Sequence, residues 1–302
     1  MRIPDGQNTL SYTQYLEAIA GGVDTIGTVY YVDANAGNDS DDGLSWQYAF
    51  KTLTVALLAS HTDIASGATG WASRNRIYYK GDNAEASAED IVALADKTDV
   101  IGVGSYDARP RPMLIGNHTV VGSYLGCRFF NMGFASPVAG GVVMTLPAGC
   151  AHTEFHGCVF DGSSTTKATK GLLATAVRKL NVLGCDFIGK FSNTAIDIGA
   201  GAGNAMRIIG NFIESGAKGI TVSSTYTCAT QIGVIQDNTF DVVTLLVDEN
   251  SNDVMVGGNR GRTQADGTVA LTIDYNAVMA YDNIFAHSAG VSQYPVLVTI
   301  PT

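Results

Sequence analysis

Gly126-Cys127-Arg128-Phe129, Gly157-Cys158-Val159-Phe160, Gly184-Cys185-Asp186-Phe187, Gly210-Asn211-Phe212-Ile213, Asp237-Asn238-Thr239-Phe240, Gly258-Asn259-Arg260-Gly261 and Asp282-Asn283-Ile284-Phe285 are seven returns of one short phrase. The Cys-or-Asn position advances by 31, 27, 26, 27, 21 and 24 residues. A second apolar series runs between the returns: Val143, Leu173, Ile196, Ile220, Leu245, Leu271 and Leu297. A repeat this short cannot bury its apolar face alone, so neighbouring repeats must stack. Two strand-like segments per repeat therefore predict an all-β chain, a single-stranded right-handed parallel β-helix, with a short N-terminal α-helix before it.

Length and composition agree. The chain has 302 residues, but the repeat spreads over most of them and argues for one solenoid. Charged residues make up 15% and glycines number 35, which suits short strands joined by tight corners and does not suit disorder. The formal net charge is −10, and no Lys/Arg run offers a phosphate footprint, so a nucleic-acid partner is not expected. Neither a long apolar stretch nor a basic-then-apolar start is present, which predicts no membrane span and no secretory leader.

Three segments follow. Residues 1–28 form an N-terminal helix that acts as anchor or cap. Tyr12, Tyr15, Leu16 and Ile19 fall at i, i+3, i+4 and i+7, a stripe that either seals the solenoid or docks on a partner. Residues 29–112 are irregular opening coils, with a strand at Val29-Tyr30-Tyr31-Val32 and a helix at about 47–60 marked by Phe50, Leu53, Leu57 and Leu58. Residues 113–302 are the regular coils. In them, Cys127, Cys158, Cys185, Asn211, Asn238, Asn259 and Asn283 are expected to form one internal ladder with reduced thiols. Stacked amides hydrogen-bond along such a column, and coils ~4.8 Å apart do not favour disulfide geometry. Cys150 and Cys228 lie outside it and are also read as reduced.

The run Tyr30-Tyr31-Val32-Asp33, Gly37-Asn38-Asp39-Ser40-Asp41-Asp42-Gly43, Trp46 and Phe50-Lys51-Thr52-Leu53 resembles the opening of the right-handed β-helix superfamily of pectate-lyase-like proteins. Arg76 to Lys80 and Asp99 to Gly104 sit where that superfamily has its next strands. This opening precedes lyases, hydrolases, epimerases, phage tailspikes and non-enzymatic spikes alike, so the resemblance implies fold and leaves activity open. The calcium-binding carboxylates and basic catalytic residue of the superfamily's lyases find no residue-by-residue match here. The N-terminal helix, the missing leader and the short stack are more similar to a phage virion protein than to a secreted enzyme.

Chemistry has few candidate places. Aligning Leu245 with Leu271 sets Asp248 over Asp274, about 5 Å apart on adjacent coils. Such a pair takes a proton, binds a cation such as calcium, or splays into water. It also matches the carboxyl separation of a retaining glycosidase, about 5–5.5 Å. No other cofactor is expected. Asp197 is the third carboxylate candidate, read as pointing outward in a column with Thr221, Leu246 and Thr272. His152-Thr153-Glu154-Phe155-His156 leads into a strand, where four residues span ~13 Å, so the two histidines cannot share one ion. The loop Asp33–Asp42 lacks EF-hand spacing and reads as Asx turns. Gly199, Gly201 and Gly203 precede no helix pattern and fail as a nucleotide loop.

The expected function is a phage virion structural protein, a capsid decoration or spike/tail-fibre component. It would form a homotrimer, contact other virion proteins and be assembled in the host cytoplasm. The alternatives are a polysaccharide-degrading tailspike or lyase-like enzyme, or a non-catalytic carbohydrate-binding β-helix meeting host surface polysaccharide.

Overall fold

The computed structural model describes residues 27–66, 73–81, 87–104, 112–162, 167–228, 231–242, 245–249, 251, 253–263, 272–273, 279–287 and 294–295. The stripe Tyr12, Tyr15, Leu16 and Ile19 lies outside them, as do Asp274 and Leu271. The chain winds into a parallel β-solenoid. Each regular coil gives one strand to each of three sheets, as in Asn181–Leu183, Asp186–Phe191 and Thr194–Gly199. The first and second sheets hold ten strands each and the third holds seven. Ten stacked strands make a rod about 43 Å long at ~4.8 Å per step.

Alternation along each strand sends one side chain inward, where it meets its equivalents from the coils above and below. Phe129 stacks on Phe155 at 5.4 Å, and Phe160 on Phe187 at 4.6 Å with rings 4° from parallel. Leu172, Ile196, Ile220 and Val247 form the corresponding inner row of the third sheet.

Between first and second strands each coil turns through one left-handed residue: Asn131, Gly157, Gly184, Gly210, Asp237, Gly258 or Asp282, with φ between 47° and 67°. Only Gly, Asn and Asp take this conformation readily, which is why the repeated phrase begins with them. The next residue points inward and is buried. Asn211 Nδ2 donates to Asn238 Oδ1 (2.8 Å) and to the Val182 carbonyl (3.0 Å). Asn238 and Asn259 repeat the arrangement on Asn259 and Asn283, and Asn211 Oδ1 accepts the Cys185 backbone N–H at 2.8 Å. All five cysteines are free and buried, with Cys127 and Cys150 pushed by burial up to about 12.

One member of the expected ladder stands elsewhere. Val159 pairs with Gly133, so the residue below Cys158 is Met132. Cys127 precedes Arg128, which pairs with Glu154, and this puts Cys127 below Thr153 at the other end of the first sheet. A second left-handed corner runs there through Lys97, Gly126, His152, Lys179 and Ala205. The phrase Gly126-Cys127 belongs to that corner; both corners need the same backbone, and sequence alone did not separate them.

The third sheet also differs from its expected register. Ile196 pairs with Leu172 and Ile220 with Val247, while Leu173 faces outward beside Asp197. The helix α1 spans Leu53–Ser66 rather than about 47–60. Phe50 is retained by the first strand, where its N–H donates to the Tyr31 carbonyl and its own carbonyl accepts the Asp33 N–H. Thr52 then caps α1, and the Glu89 carboxylate accepts the Leu53 and Thr54 N–H groups of the first turn. Leu53, Ala56 and Leu57 join the solenoid core where this coil shows no second or third strand among the described residues, so α1 covers the core there.

Two expectations follow from the core. Replacing Asn238 by Leu strands the Asn211 donors and the Ile208 carbonyl in the interior, and should lower unfolding free energy by at least about 1–3 kcal/mol in chemical denaturation. His118 is buried at the foot of the third sheet, its Nδ1 accepting the Ile91 N–H, and burial pushes its pKa down to about 4. The unfolded chain protonates near pH 6.5, so the His118 contribution is whole above that pH and is lost as pH falls toward about 4. The loss is about 3 kcal/mol over this window. His118→Gln, which keeps an acceptor for Ile91, should flatten that part of the stability profile.

Candidate functional site

The outward column of the third sheet runs Thr119, Thr145, Leu173, Asp197, Thr221 and Asp248, and the backbone of Thr272 pairs with that of Asp248. Asp197 and Asp248 therefore share one column, two coils apart, and Asp248 occupies the place assigned to Leu246. Thr272 is the neighbour of Asp248 above, so the register does not set Asp248 over Asp274. Leu245 and Val247 stand two residues apart, so either can be set beside Ile220 with the alternation kept, and the backbone pairs Ile220 with Val247. Each carboxylate is held from the coil below. Lys170 Nζ donates to Asp197 Oδ2, and Lys218 Nζ donates to Asp248 Oδ2. In both cases the lysine leads its strand and the aspartate lies diagonally up on the next coil. An ammonium on each carboxylate offsets the negative charge that would attract calcium and occupies the oxygen a cation would use.

The acidic loop is satisfied internally. Asp33 accepts Lys80 Nζ at 2.7 Å and the N–H groups of Asn35 and Ala36. Burial alone would raise its pKa, but these donors outweigh burial and hold it below the usual carboxylate range. Asp39 accepts the Lys51 and Thr52 N–H groups, and Asn38 and Asp42 make Asx turns to Ser40 and Leu44. The loop's oxygens build a turn that leads into α1.

The first sheet carries an outer face that the repeat phrase did not reveal. One outward column reads Tyr31, Tyr78, Ile101, Phe130, His156, Leu183 and Ile209, all half-buried. Tyr31 stacks on Tyr78 at 5.8 Å and meets Trp46 edge-on at 4.9 Å; Phe130 stacks on His156 at 4.7 Å. Two residues earlier on the same strands runs a charged column: Arg76, Asp99, Arg128, Glu154, Asn181 and Arg207. Arg128 grips the buried Asp99 with two 2.7 Å bonds, Arg74 adds a third, and the Arg128 guanidinium lies 5.5 Å from the Phe130 ring centre. A sequence signal existed, because Phe130, His156, Leu183 and Ile209 each stand immediately before a left-handed corner.

Within this face, His156 Nε2 and Glu154 Oε2 are 2.7 Å apart on one strand. Burial raises the Glu154 pKa, but the bond to His156 and the nearby Arg128 outweigh it, so Glu154 is held below its ordinary range. His152 stands at the neighbouring left-handed corner, where Glu154 acts on it electrostatically. An imidazole tied by one nitrogen to an ionised carboxylate can take a proton through the other, the orientation logic of a general base. No protein-family model and no curated protein sequence matches the chain.

The Lys218–Asp248 contact sets a simple expectation. Calcium and chelator should both leave the melting curve unchanged. Asp248→Asn should cost about 1–3 kcal/mol, because Asp248 is buried and the substitution removes the carboxylate that partners the Lys218 ammonium. A calcium-dependent rise in melting temperature that vanishes in Asp248→Asn would show a cation displacing Lys218.

Proposed function

We propose that this chain is a structural rod of a phage-type virion, a capsid-decoration or spike component that forms a homotrimer and contacts other virion proteins. The observation that supports it is the use made of the outward carboxylates. Asp33 is tied to Lys80, Asp99 to Arg74 and Arg128, Asp197 to Lys170 and Asp248 to Lys218, each partner coming from an adjacent coil. These pairs fasten coil to coil, a use of charge that serves rigidity rather than turnover.

A second reading, a polysaccharide-degrading enzyme, is favoured by the Glu154–His156 pair alone. One assay separates the two. Capsule-type or pectin-type polysaccharide incubated with the protein should gain neither new reducing ends nor unsaturated product. Chain shortening that disappears in Glu154→Gln, with melting unchanged, would sink the structural reading and establish the enzymatic one.

A further inference from the structure

We infer that the apolar column on the outer face of the first sheet, from Tyr31 to Ile209, is the surface on which a second copy of this chain docks. The inference deepens the assembly reading above and rests on it. Outward positions of a solenoid are normally filled by polar side chains, as the Thr, Asp and Lys positions of the third sheet are here. A half-buried apolar row crossing seven successive coils without a charged member is therefore informative. It extends about 29 Å at ~4.8 Å per coil.

Three features choose the occupant. First, the row repeats at the rise of a β-solenoid, so another solenoid of the same rise presents a matching side chain at every step along the whole length. A globular partner or a sugar polymer has a different repeat and drifts out of step. Second, the rings do not form a continuous platform. Ile101 separates Tyr78 from Phe130, and Leu183 and Ile209 continue the row beyond His156; sugar faces stack on rings, whereas branched aliphatic side chains pack on one another. Third, charge allows self-association here. The chain carries a formal −10, which sets copies against each other in general. The column flanking the row holds three arginines, Arg76, Arg128 and Arg207, against the carboxylates Asp99 and Glu154, so this strip is not acidic.

The test uses the full chain in sedimentation velocity at micromolar concentration, with circular dichroism and melting as folding controls. Wild type should sediment as a closed oligomer. Leu183→Glu with Ile209→Glu should sediment as monomer while keeping the β spectrum, because both side chains point away from the core. Thr221→Glu on the third sheet should leave the oligomer intact. If the double variant unfolds, Arg207→Glu, on an exposed side chain outside the core, should weaken association without lowering the melting temperature. A wild type that is monomeric overturns the inference, as does an oligomer that survives the substitutions in the apolar row or is broken by Thr221→Glu instead. The polysaccharide assay above is unaffected by any of these outcomes, so failure of the docking surface and failure of the structural reading are told apart.

Discussion

Vertical registration of the coils is the constraint on which the rest of this molecule depends. A parallel ladder slipped by two residues keeps its backbone hydrogen bonds and its inward-outward alternation, so neither fixes the register. The buried amides do. Asn211, Asn238 and Asn259 each need, at one position, an Oδ1 above and a main-chain carbonyl from the strand below. A two-residue slip would leave those groups without partners in a dry interior, at a cost of about 1–3 kcal/mol apiece. In the lower coils, where Met132, Cys158 and Cys185 hold the same place, face-to-face phenylalanines take over: Phe129 on Phe155 and Phe160 on Phe187 fit only in one alignment.

Once register is fixed inside, the outside can be strapped by charge. Lys170–Asp197 and Lys218–Asp248 repeat one diagonal geometry two coils apart, and each spans neighbouring strands of the third sheet. Each pair is partly buried, with the aspartate the less exposed partner, so its attraction is screened less than that of a surface pair. Their repetition explains why Asp197 and Asp248 look like isolated acids in the sequence. Their partners lie 27 and 30 residues earlier, one coil down, where linear reading cannot see them.

Much of the fold was legible because its requirements are local. A left-handed corner asks for Gly, Asn or Asp, and an internal amide ladder asks for Asn at the next position, so the two together repeat visibly through residues 157–283. The same locality misled at Gly126-Cys127, since the opposite corner asks for the same backbone and gives no sign of which sheet follows. Register in the third sheet was not legible, because strand lengths and loops vary and Leu245 and Val247 offer two apolar alignments with the same alternation. The same two-residue difference separates an Asp248–Asp274 pairing from the Asp248–Thr272 pairing of the backbone. The outer row of the first sheet was hidden for another reason. Only Phe130, His156, Leu183 and Ile209 share a position before the corner, and the row as a whole has no common residue type, passing from Tyr to Ile, Phe, His and Leu.

The two functions considered for this solenoid compete for one strip of surface. His156 is a member of the apolar row, stacked on Phe130 and bonded to Glu154, which belongs to the charged column beside it. If a second copy covers the row, the imidazole is enclosed between solenoids. Its bond to Glu154 then satisfies a polar atom that would otherwise be buried unpaired. If a polymer lies there instead, the same pair is open and poised to move a proton, and the flanking Ile101, Leu183 and Ile209 are left as wet hydrocarbon. The aliphatic members are what tip the balance. A binding groove for a hydroxylated chain gains nothing from them, whereas a packed interface between two rods of equal rise uses every one.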